Sequence, residues 1–130
     1  MMKRRSSACR RSTVVALSLL GAMSSFACRQ ANARPVEGGD ADRGKVAIRE
    51  YGCGSCHTIP GVTGAHGLVG PPLSDWSERV YIAGHVPNTT DFLVRWIEVP
   101  TAIEPNTDMP DLAVPESDAR DIAAYLYTLH

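Results

Sequence analysis

Positive charge is scarce over most of this chain. Of its 13 Lys and Arg residues, six (Lys3, Arg4, Arg5, Arg10, Arg11 and Arg29) precede residue 34, and all 14 Asp and Glu residues follow it. Residues 34–130 therefore carry seven positive and 14 negative side chains, a formal net charge of −7 with neutral histidine. Such a surface repels nucleic acid and favours basic docking surfaces. Sulfur is scarce too. Cys9 and Cys28 lie in or beside the leader described below, which leaves Cys53 and Cys56, too few for a disulfide framework. Met109 is the only methionine beyond Met23. There is no internal repeat and no sustained polar–apolar alternation. Val80-Tyr81-Ile82 is too short to count as a strand, so β-rich and alternating β/α folds are excluded.

No apolar run is long enough for a comfortable membrane span of ~20 residues. The stretch from Thr13 to Ala27 is uncharged and mostly apolar, and it follows a basic start. That is the layout of an export signal, expected over residues 1–33. Two cleavage sites compete. Ala31-Asn32-Ala33 is a small-x-small site that releases a soluble chain beginning at Arg34, and it is the better match. Ser25-Phe26-Ala27-Cys28 resembles a lipoprotein box ending before Cys28, with Ser25 and Phe26 standing where aliphatic and small residues are usual. The first reading places the protein free in a bacterial periplasm. The second anchors it to a membrane through a lipidated Cys28. The Arg10-Arg11 pair lacks the apolar follow-up of a twin-arginine signal.

Residues 34–41 read as a flexible lead-in, and 42–130 as one small domain. Three helices are expected in it. The first runs from about Ala41 to Tyr51, with Gly44, Ala47, Ile48 and Tyr51 on one face. The second starts at the capping residues Thr89, Thr90 and Asp91, carries Phe92, Leu93, Trp96 and Ile97, and stops at Pro100. The third follows Pro115, has Glu116 and Asp118 in its first turn, and carries the stripe Ile122, Tyr125, Leu126 and Leu129. Glycine and proline crowd residues 52–72, which makes that stretch loop.

Within that loop stands Cys53-Gly54-Ser55-Cys56-His57. Cys-x-x-Cys-His is the attachment signal for c-type haem. Two thiols at this spacing each add to one vinyl group on one porphyrin edge, and the following histidine offers an imidazole nitrogen to the iron. A chain this short buries a limited share of its surface, so an apolar prosthetic group adds to its core.

From about Asp42 to Leu129 the chain resembles a class I c-type cytochrome of the bacterial monohaem type. The resemblance rests on signatures in order: Gly44 nine residues before Cys53, the attachment run, Gly70-Pro71-Pro72-Leu73, Arg79, Pro100, Met109-Pro110, and the closing Asp121-Ile122-Ala123-Ala124-Tyr125-Leu126. It implies an all-α cytochrome c-like fold, three main helices and long loops around one haem c joined through Cys53 and Cys56. It also implies site roles. His57 is the proximal iron ligand, and Pro71 turns its carbonyl to the other imidazole nitrogen. Met109 supplies a thioether to the sixth position, and Arg79 pairs with a haem propionate. Met109 has little apolar company between Pro100 and Pro110, so core packing does not account for it. For Pro71 an ordinary turn proline is the competing reading, and for Arg79 a surface arginine beside Glu78. His66 and His85 are rival sixth ligands expected to be exposed, and His130 is expected to fray. Trp96 and Tyr81 pack on haem or elsewhere in the core. Trp76 has no assignment. Ile48 departs from the family by standing where many members carry an aromatic residue.

The expected function is one-electron carriage between respiratory or periplasmic redox partners, such as a terminal oxidase, a respiratory complex or a periplasmic dehydrogenase. Both axial positions on iron are filled, so no catalytic residue is expected. Three other readings compete: a haem sensor or peroxidase with a labile sixth ligand, a Cys-x-x-Cys thiol oxidoreductase, and a structural zinc module using Cys53, Cys56 and His57.

Overall fold

The structure, a computed structural model, describes residues 35–130. The expected export signal and Cys28 lie outside the described residues. The elements are α1 (Ala41–Glu50), a minimal antiparallel hairpin of β1 (Tyr81–Ile82) and β2 (Val86–Pro87), α2 (Thr90–Glu98) and α3 (Glu116–Leu126). Single 3₁₀ turns occupy Cys53–Ser55, Trp76–Glu78 and Pro100–Ala102. Among the described residues the hairpin and a lone antiparallel bridge between Thr58 and His66 are the departures from an all-helical reading. The hairpin register pairs Tyr81 with Pro87 and Ile82 with Val86, too short for any periodicity to reveal.

Two of the three helices start at a side-chain cap. Asp40 accepts from the Arg43 backbone N–H at the head of α1, and Thr89 accepts from Phe92 N–H at the head of α2. Pro115 precedes α3, whose first turn carries Glu116 and Asp118. Pro100 ends the run after α2 by starting a separate 3₁₀ turn.

The crossing of α1 and α3 is the centre of the fold. Gly44 makes it possible. A Cβ there would overlap the backbone carbonyl of Asp121 and come within 2.9 Å of the Ile122 nitrogen. With no side chain at Gly44 the two backbones meet, and Ala47, Ile48, Ile122 and Ala123 close around the contact, all buried. Polar ties hold both ends of α1. Asp121 accepts from the Asp40 N–H at 2.7 Å and from the Arg43 guanidinium at 2.7 and 2.8 Å. At the far end, the Tyr51 hydroxyl donates to Asp118 at 2.7 Å. The Arg43 bond holds the Asp121 carboxyl below the usual aspartate range, and the Asp40 N–H acts in the same direction against the cost of burial.

Two expectations are corrected, for Phe92 and His130. Phe92 is 41% exposed, and Val94 takes its place beside Leu93 and Ile97 in the buried face of α2. In the segment before α1, Val36 is buried and the Gly39 N–H closes a turn onto its carbonyl. His130 does not fray, because its Nδ1 lies 2.7 Å from the Ser77 hydroxyl, which also donates to Leu129 O.

Two outcomes test this account. Gly44→Ala should lower the unfolding free energy by about 2 kcal/mol or more, read as a Tm drop of roughly 10 °C. Asp121→Ala should cost about 1–2 kcal/mol, discounted because Arg43 is largely exposed. The contribution of Asp121 is full above the ordinary aspartate pKa and fades as the pH falls through that range toward the lowered folded value. Denaturant melts of wild type and Asp121→Ala should therefore differ most near neutral pH and converge in acid.

Candidate functional site

The helices and loops enclose a cavity of about 660 Å³. Ile48, Leu93, Ile97, Ile122 and Leu126 bring apolar side chains from all three helices to its walls. Cys53, Cys56, His57, Pro71, Arg79 and Met109, the six residues singled out in the sequence, all line it. Its size is that of a site for one small cofactor.

Backbone bonds build the end that carries the thiols. Residues 53–58 are laced to the following loop by Gly67 N to Gly54 O at 3.0 Å, Gly70 N to Cys56 O at 2.8 Å and Leu73 N to Thr58 O at 2.8 Å. This lacing brings Pro71 beside His57, and His57 Nδ1 lies 2.7 Å from the Pro71 carbonyl oxygen. A carbonyl only accepts, so Nδ1 carries a proton, and the neutral ring then has its lone pair on Nε2. That is the state an imidazole needs to ligate a metal, with a carbonyl fixing the ring and raising its basicity. Gly70 is as necessary here as Gly44 is between the helices, because a Cβ at Gly70 would overlap the His57 ring.

Cys53 and Cys56 are half-buried and free, with no disulfide between them. Burial pushes the Cys53 thiol up. A redox dithiol needs the opposite, a thiol lowered toward neutrality, so the oxidoreductase reading is not supported. Nor is the zinc reading: among the described residues no group of three His, Cys, Asp or Glu side chains is placed to hold a metal.

Met109 is half-buried in the loop after Pro100–Ala102, its N–H bonded to Thr107 Oγ1 at 3.1 Å. The two rival histidines lie elsewhere. His66 and His85 are exposed and absent from the cavity wall, and His85 Nδ1 lies 2.9 Å from Ala83 O. Trp96 and Tyr81 do line the cavity. Arg79 reaches back through Nη2 to the carbonyls of Pro72 and Ser74, and its guanidinium lies 4.9 Å from the centroid of the Trp76 ring.

Trp76 and Asn88 are the residues that sequence reasoning missed. Asn88 is buried; its Nδ2 donates to Trp76 O and Arg79 O, both at 3.0 Å, and its Oδ1 accepts from the Tyr127 hydroxyl at 2.9 Å. These partners lie nine to 39 residues away, so no local pattern announces them. Trp76 lines the cavity, and its Nε1–H is the one buried side-chain polar atom without a partner among the described residues. An unmet buried donor costs about 1–3 kcal/mol, which points to an acceptor supplied from outside the chain.

An all-α shell with paired thiols and a metal-ready imidazole on an apolar cavity defines a class: proteins that join a metal-bearing ring to their own chain. A family model described as cytochrome c matches residues 41–130, and the chain belongs to the cytochrome c family. Its fold is the all-α cytochrome c fold, and the family's prosthetic group is covalently bound haem c with iron. The cavity fits that group, with apolar walls for the ring, thiols for its edge and donors for its carboxylates. The chain is also 31% identical over 90 residues to cytochrome c oxidase subunit 2 of Alkalihalophilus pseudofirmus strain OF4. The match covers 68% of this chain and 25% of that protein, so the chain spans about a quarter of the relative's length.

The imidazole geometry yields a prediction. Gly70→Ala should push the His57 ring off the Pro71 carbonyl and lower the yield of haem-loaded protein about tenfold, measured by haem staining of denatured samples.

Proposed function

We propose that this protein carries one electron at a time on a single haem c, joined through Cys53 and Cys56 and ligated by His57 and Met109. The observation that supports it most is the His57 Nδ1–H bond to Pro71, which frees Nε2 in the cavity that both thiols and Met109 line. Haem c supplies a ferric/ferrous couple. Each residue has a part in tuning or holding it. Cys53 and Cys56 fix the ring to the chain. Pro71 orients His57. Met109 offers a soft thioether, which favours ferrous iron and raises the potential. The buried walls add to that preference by penalising the more charged ferric state. Among the described residues Arg79 is the only Lys or Arg on the cavity wall, and it is the partner for a haem carboxylate.

The electron passes to or from a respiratory partner. The likeness to an oxidase subunit supports a terminal oxidase over a periplasmic dehydrogenase. With twice as many acids as bases beyond residue 33, docking is steered by a basic patch on that partner. We place the protein in a bacterial periplasm after export, released at Ala33 or held at the membrane through Cys28. Among the described residues no helix is long and apolar enough to cross a membrane.

Met109→Ala tests the ligand assignment. The variant should keep its covalent haem, lose the weak ferric iron–sulfur band at the red end of the spectrum, and fall in midpoint potential by on the order of 0.2 V. An unchanged band and potential would remove Met109 from the iron and reopen the sensor or peroxidase reading.

A further inference from the structure

We infer that Glu104 is a positioning residue for Met109, holding the loop that carries the thioether and so setting how readily another ligand displaces it. The inference rests on the Met109 ligation proposed above. The segments that carry His57 and Met109 are braced differently. Three backbone bonds and the His57–Pro71 bond tie the thiol turn to a separate loop. Around Met109, among the described residues, every hydrogen bond made by residues 103–113 stays inside that loop or returns to the Pro100 carbonyl.

Glu104 carries most of the bracing that loop has. Its N–H donates to Pro100 O at 3.0 Å, and its carbonyl accepts from the Thr107 N–H at 3.1 Å. Its Oε1 accepts from the Asn106 N–H at 3.0 Å. Thr107 Oγ1 in turn accepts from the Met109 N–H at 3.1 Å. A chain of bonds thus runs from Pro100 through Glu104 and Thr107 to Met109. The other carboxylate oxygen, Oε2, lies 4.0 Å from His85 Nδ1, an ion pair when the imidazole is protonated. Among the described residues this is the one polar contact that joins the loop to the hairpin.

His85 is itself held in place. It follows the left-handed pair Ala83 and Gly84, at φ 49° and 81°, and its Nδ1–H donates to Ala83 O at 2.9 Å. A carboxylate suits position 104 because it only accepts, and its two oxygens serve two partners at once. Glutamine keeps one acceptor there and alanine keeps none. The bracing matters because a thioether is a soft, uncharged ligand. When it leaves the iron, the loop gains conformational freedom, and that gain favours release. Bonds that order the loop without help from the iron reduce the gain and keep Met109 in place.

The test is an imidazole titration of the oxidised, haem-loaded protein, followed by loss of the ferric iron–sulfur band. Glu104→Ala should bind imidazole at least about tenfold more tightly than wild type, equivalent to about 1.4 kcal/mol. Glu104→Gln still accepts from the Asn106 N–H and should stay within about threefold of wild type. Asp121→Ala loosens the helix crossing instead, and it should melt lower yet bind imidazole as wild type does. Three results overturn this inference alone: Glu104→Ala binding as wild type does, Glu104→Gln binding as tightly as Glu104→Ala, or Asp121→Ala matching the gain in Glu104→Ala. A wild type that holds haem but lacks the iron–sulfur band overturns the Met109 reading beneath it. Where Glu104→Ala does not fold, amide exchange on the haem-loaded wild type decides. The Asn106 and Met109 N–H groups should exchange at least about tenfold more slowly than those of Asp108 and Leu112, which make no hydrogen bond among the described residues. Equal rates would contradict the brace.

Discussion

The bond between the His57 imidazole and the Pro71 carbonyl, 2.7 Å long, is the contact on which the site depends. It joins the turn that carries the thiols to the loop that follows, 14 residues on. It selects the tautomer that leaves Nε2 available, and it stops the ring from rotating. Three backbone bonds between the same two segments hold the carbonyl there, and Gly70 leaves room for the ring. A ligand set built on loops needs such bracing, because loops are otherwise the least ordered part of a domain.

Behind that brace stands a second one. Gly44 lets α1 press against the backbone of α3, and Asp121 and Asp118 tie the two ends of α1 to the same helix. The helix pair supplies Ile48, Ile122 and Leu126 to the cavity wall. The chain thus separates two tasks. Tight helix contacts behind the cavity give rigidity, and hydrogen-bonded loops around it give chemistry. The cavity itself is part of the core, so the prosthetic group finishes the packing as well as supplying the redox couple.

Much of this was legible in the sequence because the signals were local. The caps at Thr89 and the proline before Glu116, the 3.6-residue stripes and the Cys-x-x-Cys-His run each act within a few residues, and the three helices start within a residue or two of where those signals put them, while α3 ends at Leu126, short of the Leu129 that its stripe included. Gly44 was legible as part of the inward face of α1, while its contact with the Asp121 backbone emerges only once α3 is in place. What failed was set by distant partners. Phe92 fits the helical stripe as well as Val94 does, and only the placement of α2 against α3 chose between them. His130 was expected to fray because nothing nearby holds it; Ser77, 53 residues away, does. Asn88 had no reading in the sequence and proved to be a buried bracket for Trp76, Arg79 and Tyr127. The role of Trp76 was hidden for the same reason, since an unpaired N–H is visible only once its surroundings are known.

The central claim is that the cavity holds covalent haem between His57 and Met109. The most direct measurement is the absorption spectrum of the wild-type protein, matured in cells able to attach haem c, in its oxidised and reduced states. The account predicts a c-type reduced spectrum together with the weak ferric iron–sulfur band. A c-type spectrum without that band would contradict Met109 ligation, and the absence of any haem would contradict the account as a whole.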